Sequence, residues 1–222
     1  MDKLELIVFD WDGTLMDSAA RIVACMRAAF TDIGAEPPSP AEVREVIGLG
    51  LEEALLALWP EVDVAQRLQV IQRYRAHFLG PTVTPSPLFP GVDEVLNALH
   101  QQGLLLAIAT GKSRAGLERA LDESGLRSLF HATRCADETR SKPHPQMLME
   151  LLDELGQSPH QALVVGDTLY DIEMAQNASV AAVGVSYGVH EPQRLLAAGA
   201  RVCLDRIDAL PAWLAQHHWH LR

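Results

Sequence analysis

The sequence predicts an α/β protein: a Rossmann-like parallel sheet carrying a small all-helical domain inserted after its first strand. Three observations carry that expectation. Short, β-rich apolar runs recur along the chain, with helical patterns of about ten residues between them, as βαβ units require. The stretch 16–82 breaks this alternation and holds no convincing strand. A return through Pro81, Pro85, Pro87 and Pro90 then restores it, and so dense a proline run reads as a stiff linker.

Taken in order, Leu4-Glu5-Leu6-Ile7-Val8-Phe9 reads as a buried strand ending in acidic and turn residues. Ile22, Met26, Phe30 and Ile33 form one helical stripe, closed by Gly34. Ser39-Pro40-Ala41-Glu42 supplies a capping box with proline at the first helical position. A Gly48-Leu49-Gly50 break precedes an apolar run ending at Trp59-Pro60. Asp63 then opens a fourth helix with Val64, Leu68, Ile71 and Phe78 on one face. The expected division is therefore a discontinuous core, 1–15 and 83–222, and an inserted helical domain, 16–82. Beyond it, Pro90-Gly91 leads a helix with Val92, Val95, Leu96 and Leu99 inward, stopped near Gly103. A strand at Leu104–Ala109 precedes a helix with Leu117, Leu121 and Ser124 on one face, stopped by Gly125. Pro145 begins a helix with Leu148, Leu151 and Leu152 on its apolar face. Strands follow at Ala162–Val165 and Val180–Val185, with a weaker one at Arg201–Leu204. In such sheets the chemistry sits at the carboxyl ends of the strands.

Composition narrows the function classes. At roughly 150 residues per domain, 222 residues make one large domain or one domain with an insertion. A chain 48% hydrophobic and 21% charged excludes disordered, collagen-like and coiled-coil readings. The net charge of −11 argues against general binding to nucleic acid or anionic membrane, and implies that any anionic substrate needs local positive charge or a metal. Cys25, Cys135 and Cys203 are scattered and odd in number, which suggests a reduced, cytoplasmic protein without a disulfide framework or cysteine zinc site. No run approaches the roughly 18 to 20 apolar residues of a membrane span, and the N-terminus turns acidic before a signal-peptide apolar region develops.

Four clusters sit where strands end. Asp10 and Asp12, in Phe9-Asp10-Trp11-Asp12-Gly13-Thr14, share a face if the extended conformation persists, and two such carboxylates repel unless a cation or proton lies between them. Aspartate can also act as a covalent nucleophile toward phosphorus. Alone, the same residues also fit a plain Asp-Gly turn. Thr110-Gly111-Lys112-Ser113 opens a helix and offers a hydroxyl and free N–H groups to an anion, although taken by itself a simple turn with Ser113 as N-cap fits it better. A P-loop is excluded, because the required glycine five residues earlier is Leu106. Lys142, just ahead of a helix N-terminus, is disfavoured by the helix dipole, so an anionic partner explains its placement more easily, with a solvated surface lysine the alternative. Asp167 ends a strand in Gly166-Asp167-Thr168-Leu169-Tyr170-Asp171, and Asp171 lies one helical turn on, so both can face one centre. Trp11 reads as packing, and His217, His218 and His220 as a polar tail.

Jointly, with Asp10-x-Asp12-Gly13-Thr14-Leu15-x-Asp17-Ser18 leading, these clusters resemble the haloacid dehalogenase superfamily along essentially the whole chain. The phosphoglycolate phosphatase-like subgroup with a small helical cap is the most similar, and Gly48-Leu49-Gly50-Leu51 resembles its substrate-facing turn. The resemblance implies that Asp10 attacks phosphorus and that Asp12 serves as acid and then base. It implies Mg²⁺ held by Asp10, the Asp12 backbone carbonyl, Asp167 and Asp171, with Thr110, Gly111 and Lys142 on the phosphoryl oxygens. Leu15 and 82–87 would be the hinges. The expected substrate is a small phosphate ester, 2-phosphoglycolate first, with Gly48–Leu51 offering it backbone N–H groups and apolar contacts. A sugar phosphate phosphatase or a β-phosphoglucomutase-like mutase is the alternative, and a phospho-receiver signalling domain, of about half this length and without a cap, the alternative from another class. The protein is expected to work as a monomer or homodimer, with neither nucleic acid nor membrane as partner.

Overall fold

The computed structural model describes residues 3–80 and 86–217. In chain order its elements are β1 (Leu6–Phe9), α1 (Ala19–Asp32), α2 (Pro40–Glu45), α3 (Leu51–Leu58) and α4 (Val64–Phe78). There follow α5 (Val92–Gln101), β2 (Leu105–Thr110), α6 (Arg114–Ser124), β3 (Ala132–Cys135), α7 (Gln146–Glu154) and β4 (Ala162–Gly166). The chain closes with α8 (Leu169–Asn177), β5 (Ala181–Val185), α9 (Pro192–Ala197), β6 (Cys203–Leu204) and α10 (Leu210–Gln216). The strands form one parallel sheet in the order β3-β2-β1-β4-β5-β6. The chain winds outward from β1 to β3 and then returns to the other side of β1, which makes the carboxyl ends of β1 and β4 the switch point where such sheets open a crevice. Phe9 is in register with both Ile108 and Val165, so the loops leaving β1, β2 and β4 start at nearly one level.

Both sheet faces are covered, as the unbroken apolar runs require. Ile7 and Phe9 face a core shared with α5, α6 and α10, whereas Leu6 and Val8 face one shared with α7, α8 and α9. Helices α1 to α4 hold a separate cluster of their own, centred on Met26, Phe30, Val43, Leu55 and Ile71. Two chain crossings join this helical insertion to the sheet, and they pair with each other: the Asp17 N–H donates to Pro87 O at 2.9 Å and the Phe89 N–H to Leu15 O at 3.0 Å. The anticipated linker prolines Pro81 and Pro85, and most of the expected 82–87 hinge, lie outside the described residues, as do His218 and His220.

The structure corrects the sequence reading in three places. Strand β3 was not anticipated, because Ala132-Thr133-Arg134-Cys135 is polar at its centre; as an edge strand it buries only its two end residues. The weaker run at 201–204 forms a strand only at Cys203–Leu204. On α4 the inward face is Val70, Ile71 and Phe78, while Val64 and Leu68 are exposed at 62% and 51%. The packed stripe lies further round the helix than Leu68: Val70 and Ile71 join the buried cluster of Met26 and Phe30, and Tyr74 packs against it. The helix starts fared better: Ser39 and Glu42 form the capping box, and Asp63 accepts from the Gln66 N–H at 2.7 Å.

Candidate active site

Asp10 leaves β1 with its N–H on Val165 O of β4, at 2.9 Å, which fixes its backbone across the switch point. Its Oδ1 accepts from Lys142 Nζ at 2.6 Å, while its Oδ2 is a buried acceptor with no partner. Lys142 is fully buried and also donates to Asp171 Oδ1 at 2.6 Å. Burial works against the lysine's charge, but Asp10 and Asp171 outweigh it and hold the ammonium more firmly protonated than a free lysine.

Asp171 does two jobs. As the third residue of α8 its Oδ2 accepts from the Thr168 N–H, at 3.0 Å, and from the Thr168 hydroxyl, at 2.8 Å, in a capping box. Its other oxygen is left for Lys142. Asp167, at the end of β4, accepts from the Thr14 hydroxyl and from the Val189 N–H, both at 2.8 Å. Carboxylate oxygens of Asp10, Asp167 and Asp171 all lie within 4.8 Å of one another, in a fully desolvated cluster. Burial pushes the Asp10 carboxyl up to about 7, against the pull of Lys142, and burial with the neighbouring aspartates pushes Asp167 well above the usual carboxylate range. Three buried carboxylates facing one lysine leave an excess of negative charge that a divalent cation would neutralise.

The backbone around them makes room. Gly13 has φ +89°, and a Cβ there would stand 2.2 Å from Asp167 Oδ2; a Cβ on Gly188 would meet Asp167 Cβ at the same distance. Sequence reasoning missed Gly188, which lies in an unremarkable turn after β5. It is recognisable only from what it abuts.

Asp12 points away from that cluster. Its Oδ1 takes the Ser18 hydroxyl and Lys112 Nζ, the latter at 2.9 Å. Ser18 stands at the N-cap of α1 yet makes no side-chain cap bond, having committed its hydroxyl to Asp12. A missing cap costs about 1 kcal/mol, a stability cost borne at this turn. Thr110 is fully buried at the end of β2, where its Oγ1 accepts from the Lys112 N–H at 3.2 Å, and Ser113 caps α6. Lys112 itself was read only as part of the Thr110–Ser113 turn; nothing in the sequence distinguished its side chain from a solvated one. Trp11 is packed in the core, with its indole N–H on Met16 Sδ, as anticipated.

Above these residues a cavity of about 410 Å³ lies between sheet and insertion. Asp10, Asp12, Gly111 and Lys112 form its sheet side; Ile22, Met26, Val46, Leu49, Tyr74 and Phe78 are among the apolar groups facing them. Gly48-Leu49-Gly50 touches the sheet side directly: a Cβ on Gly111 would meet Leu49 O at 2.5 Å, and the Gly50 N–H donates to Ser141 Oγ at 2.7 Å. Two N–H groups of this turn are used within the protein: that of Gly50 serves the contact with Ser141 and that of Leu49 returns to Val46 O. Further along the same boundary, Glu45 accepts from the Tyr170 hydroxyl through its carbonyl, at 2.8 Å, and from Arg194 through its carboxylate, at 2.9 Å.

Residues 7–185 match the family of haloacid dehalogenase-like hydrolases. The chain belongs to that family. A Dickeya dadantii protein named probable phosphatase IndB is 36% identical over 206 residues, 90% of this chain and 89% of its own length. The phosphoglycolate phosphatase of Synechococcus elongatus is 32% identical over 217 residues, 96% of either chain. A haloacid dehalogenase-like family hydrolase of Streptococcus pneumoniae superposes with a TM-score of 0.83 over 96% of this chain and 100% of its own; at 22% identity that likeness concerns the fold alone. The haloacid dehalogenase-like fold, an α/β sheet with inserted helices, is thus established from both directions, and a phospho-receiver domain is set aside. Among the described residues no helix is long and apolar enough to cross a membrane.

Proposed function

We propose that this chain is a Mg²⁺-dependent phosphatase of small phosphomonoesters, with 2-phosphoglycolate the first candidate, working through an aspartyl-phosphate on Asp10. The observation that carries the reading is the division of labour between two neighbouring aspartates. Asp10 has one oxygen clamped by Lys142 and the other unpartnered, while Asp12 is turned aside by Ser18 and Lys112. One is arranged as a nucleophile, the other as a proton carrier. The names of the Dickeya and Synechococcus relatives point to the same chemistry.

Residues 16–82 are taken as a cap over the core of 1–15 and 83–222. The acidic cluster suits Mg²⁺, a hard cation that prefers carboxylates and water. Asp10, the Asp12 carbonyl and Asp167 would hold it, with Asp171 supporting through Lys142; when bound it would neutralise charge on the phosphoryl group. Asp10 Oδ2 attacks phosphorus and the ester P–O bond breaks. The leaving alkoxide takes its proton from Asp12. Asp12 then accepts a proton from the water that attacks phosphorus, and the P–O bond to Asp10 breaks, releasing inorganic phosphate and the free carboxylate. Thr110, the Gly111 N–H and Lys142 steady the phosphoryl oxygens through both steps. The apolar cavity wall keeps competing water out while the cap is seated.

The test is phosphate release from 2-phosphoglycolate and p-nitrophenyl phosphate with Mg²⁺, after EDTA, and after Mg²⁺ is restored. Activity should vanish with EDTA and return with Mg²⁺. Full activity in EDTA, or no release from any small phosphate ester, contradicts the reading.

A further inference from the structure

Lys112 is the one motif lysine that this mechanism leaves without a task on the substrate. Its side chain is 6% exposed, its ammonium lies 2.9 Å from Asp12 Oδ1, and the Phe78 ring of α4 covers it at 4.5 Å from ring centroid to nitrogen. It lines the same cavity as Asp10 and Asp12. Among the described residues of that lining it is the buried cation: Arg75 is exposed, and the remaining charges, Glu52, Glu53 and Asp137, are negative. Lys142 does not substitute for it: it is held between Asp10 and Asp171 at 2.6 Å from each, on the phosphoryl side of the site.

An ammonium carries three N–H donors. Asp12 takes one, and the Phe78 face attracts the charge without supplying an oxygen acceptor. Asp12 does not depend on Lys112 alone, because the Ser18 hydroxyl reaches the same oxygen. The proposed acid and the buried cation are therefore hydrogen-bonded neighbours, and protonation of the departing oxygen by Asp12 would bring the first carbons of the leaving alcohol to the side of the cavity that Lys112 lines. A second anionic group on a substrate meets repulsion from carboxylates around this cavity and attraction at Lys112.

We propose that Lys112 determines specificity, by binding a carboxylate attached to the carbon that bears the ester oxygen. The inference rests on the phosphatase reading above and narrows it to phosphorylated α-hydroxy acids. Phe78 makes the preference depend on cap seating, since the ring that shields the ammonium belongs to the insertion. Charge-assisted hydrogen bonds of this kind are worth about 10- to 100-fold in binding.

The experiment compares kcat/KM for 2-phosphoglycolate with that for 2-hydroxyethyl phosphate, which replaces the carboxylate by a neutral hydroxymethyl group. Both are measured in wild type, Lys112→Met and Lys112→Gln. Wild type should prefer the carboxylate ester. In both variants each constant falls as Asp12 loses a partner, but the carboxylate ester should fall about 10- to 100-fold further, chiefly through KM. Because the two esters are compared within one sample, a reduced folded fraction cancels from the ratio. An unchanged ratio, with both esters hydrolysed by wild type, overturns the role of Lys112 and leaves the phosphatase reading standing. Wild type inert toward both overturns the two together.

Discussion

Asp10 and Lys142 concentrate the electrostatics of this site into a few atoms. Replacing Asp10 by Asn removes the proposed nucleophile while easing the crowding of three buried carboxylates. Asp10→Asn should therefore lose roughly 10³-fold or more in turnover. Its melting temperature should equal or exceed that of wild type, checked by circular dichroism. Lys142→Met does the opposite to the fold, since it strands Asp10 and Asp171 without their buried partner. A cost of about 3–5 kcal/mol in urea denaturation is expected. Burial raises Asp10 to about 7 in the metal-free fold against 3.8 in a free chain, so the folded state keeps a proton that the unfolded state has lost. That contribution is complete below about pH 4 and disappears as pH climbs through 7. Mg²⁺ held at the proposed site would displace the same proton, so the gain in melting temperature from Mg²⁺ over EDTA should widen from about pH 5 to about pH 8. A gain that stays level across that range contradicts the assignment of Asp10 as a ligand.

At the level of elements, the turns between strand and helix hold the site together. The Asp10–Thr14 turn passes so close to Asp167 that only glycine fits at Gly13. Gly13→Ala should weaken activation by Mg²⁺ about 10- to 100-fold, read from the Mg²⁺ dependence of phosphate release; an unaltered midpoint would show that Asp167 is not held by this approach. The turns of the candidate site were legible in the sequence because each carries its acidic residues at a strand end: Asp10 and Asp12 after an apolar run, Asp167 and Asp171 one helical turn apart. Strand β3 was not, because an edge strand buries so little that Thr133 and Arg134 erase its pattern. The burial face of α4 was blurred for a related reason. Leu68 looks like core in one dimension, yet the short helices around it leave that position open to solvent. Lys112 escaped notice because only the folded chain brings Phe78 and Asp12 to its ammonium.

Sheet and insertion contribute different halves of the candidate site. The sheet supplies charge, a buried acid cluster and the level at which three loops meet, whereas the insertion supplies an apolar wall and the contacts at Gly50 and Glu45. Net charge set this problem at the outset, since a chain at −11 must attract a phosphate dianion. Two buried lysines and the carboxylates of Asp10, Asp167 and Asp171 lie together at the sheet's switch point, where fold class alone would have placed a site. The central claim is the covalent intermediate, and it can be trapped. Wild type mixed with substrate and Mg²⁺, quenched in acid within one turnover and digested, should yield the Asp10 peptide heavier by one phosphoryl group. Neutral hydroxylamine should remove that group, and Asp10→Asn should never acquire it. Active wild type with no phosphorylated peptide, or with the phosphoryl group on another residue, would contradict the account.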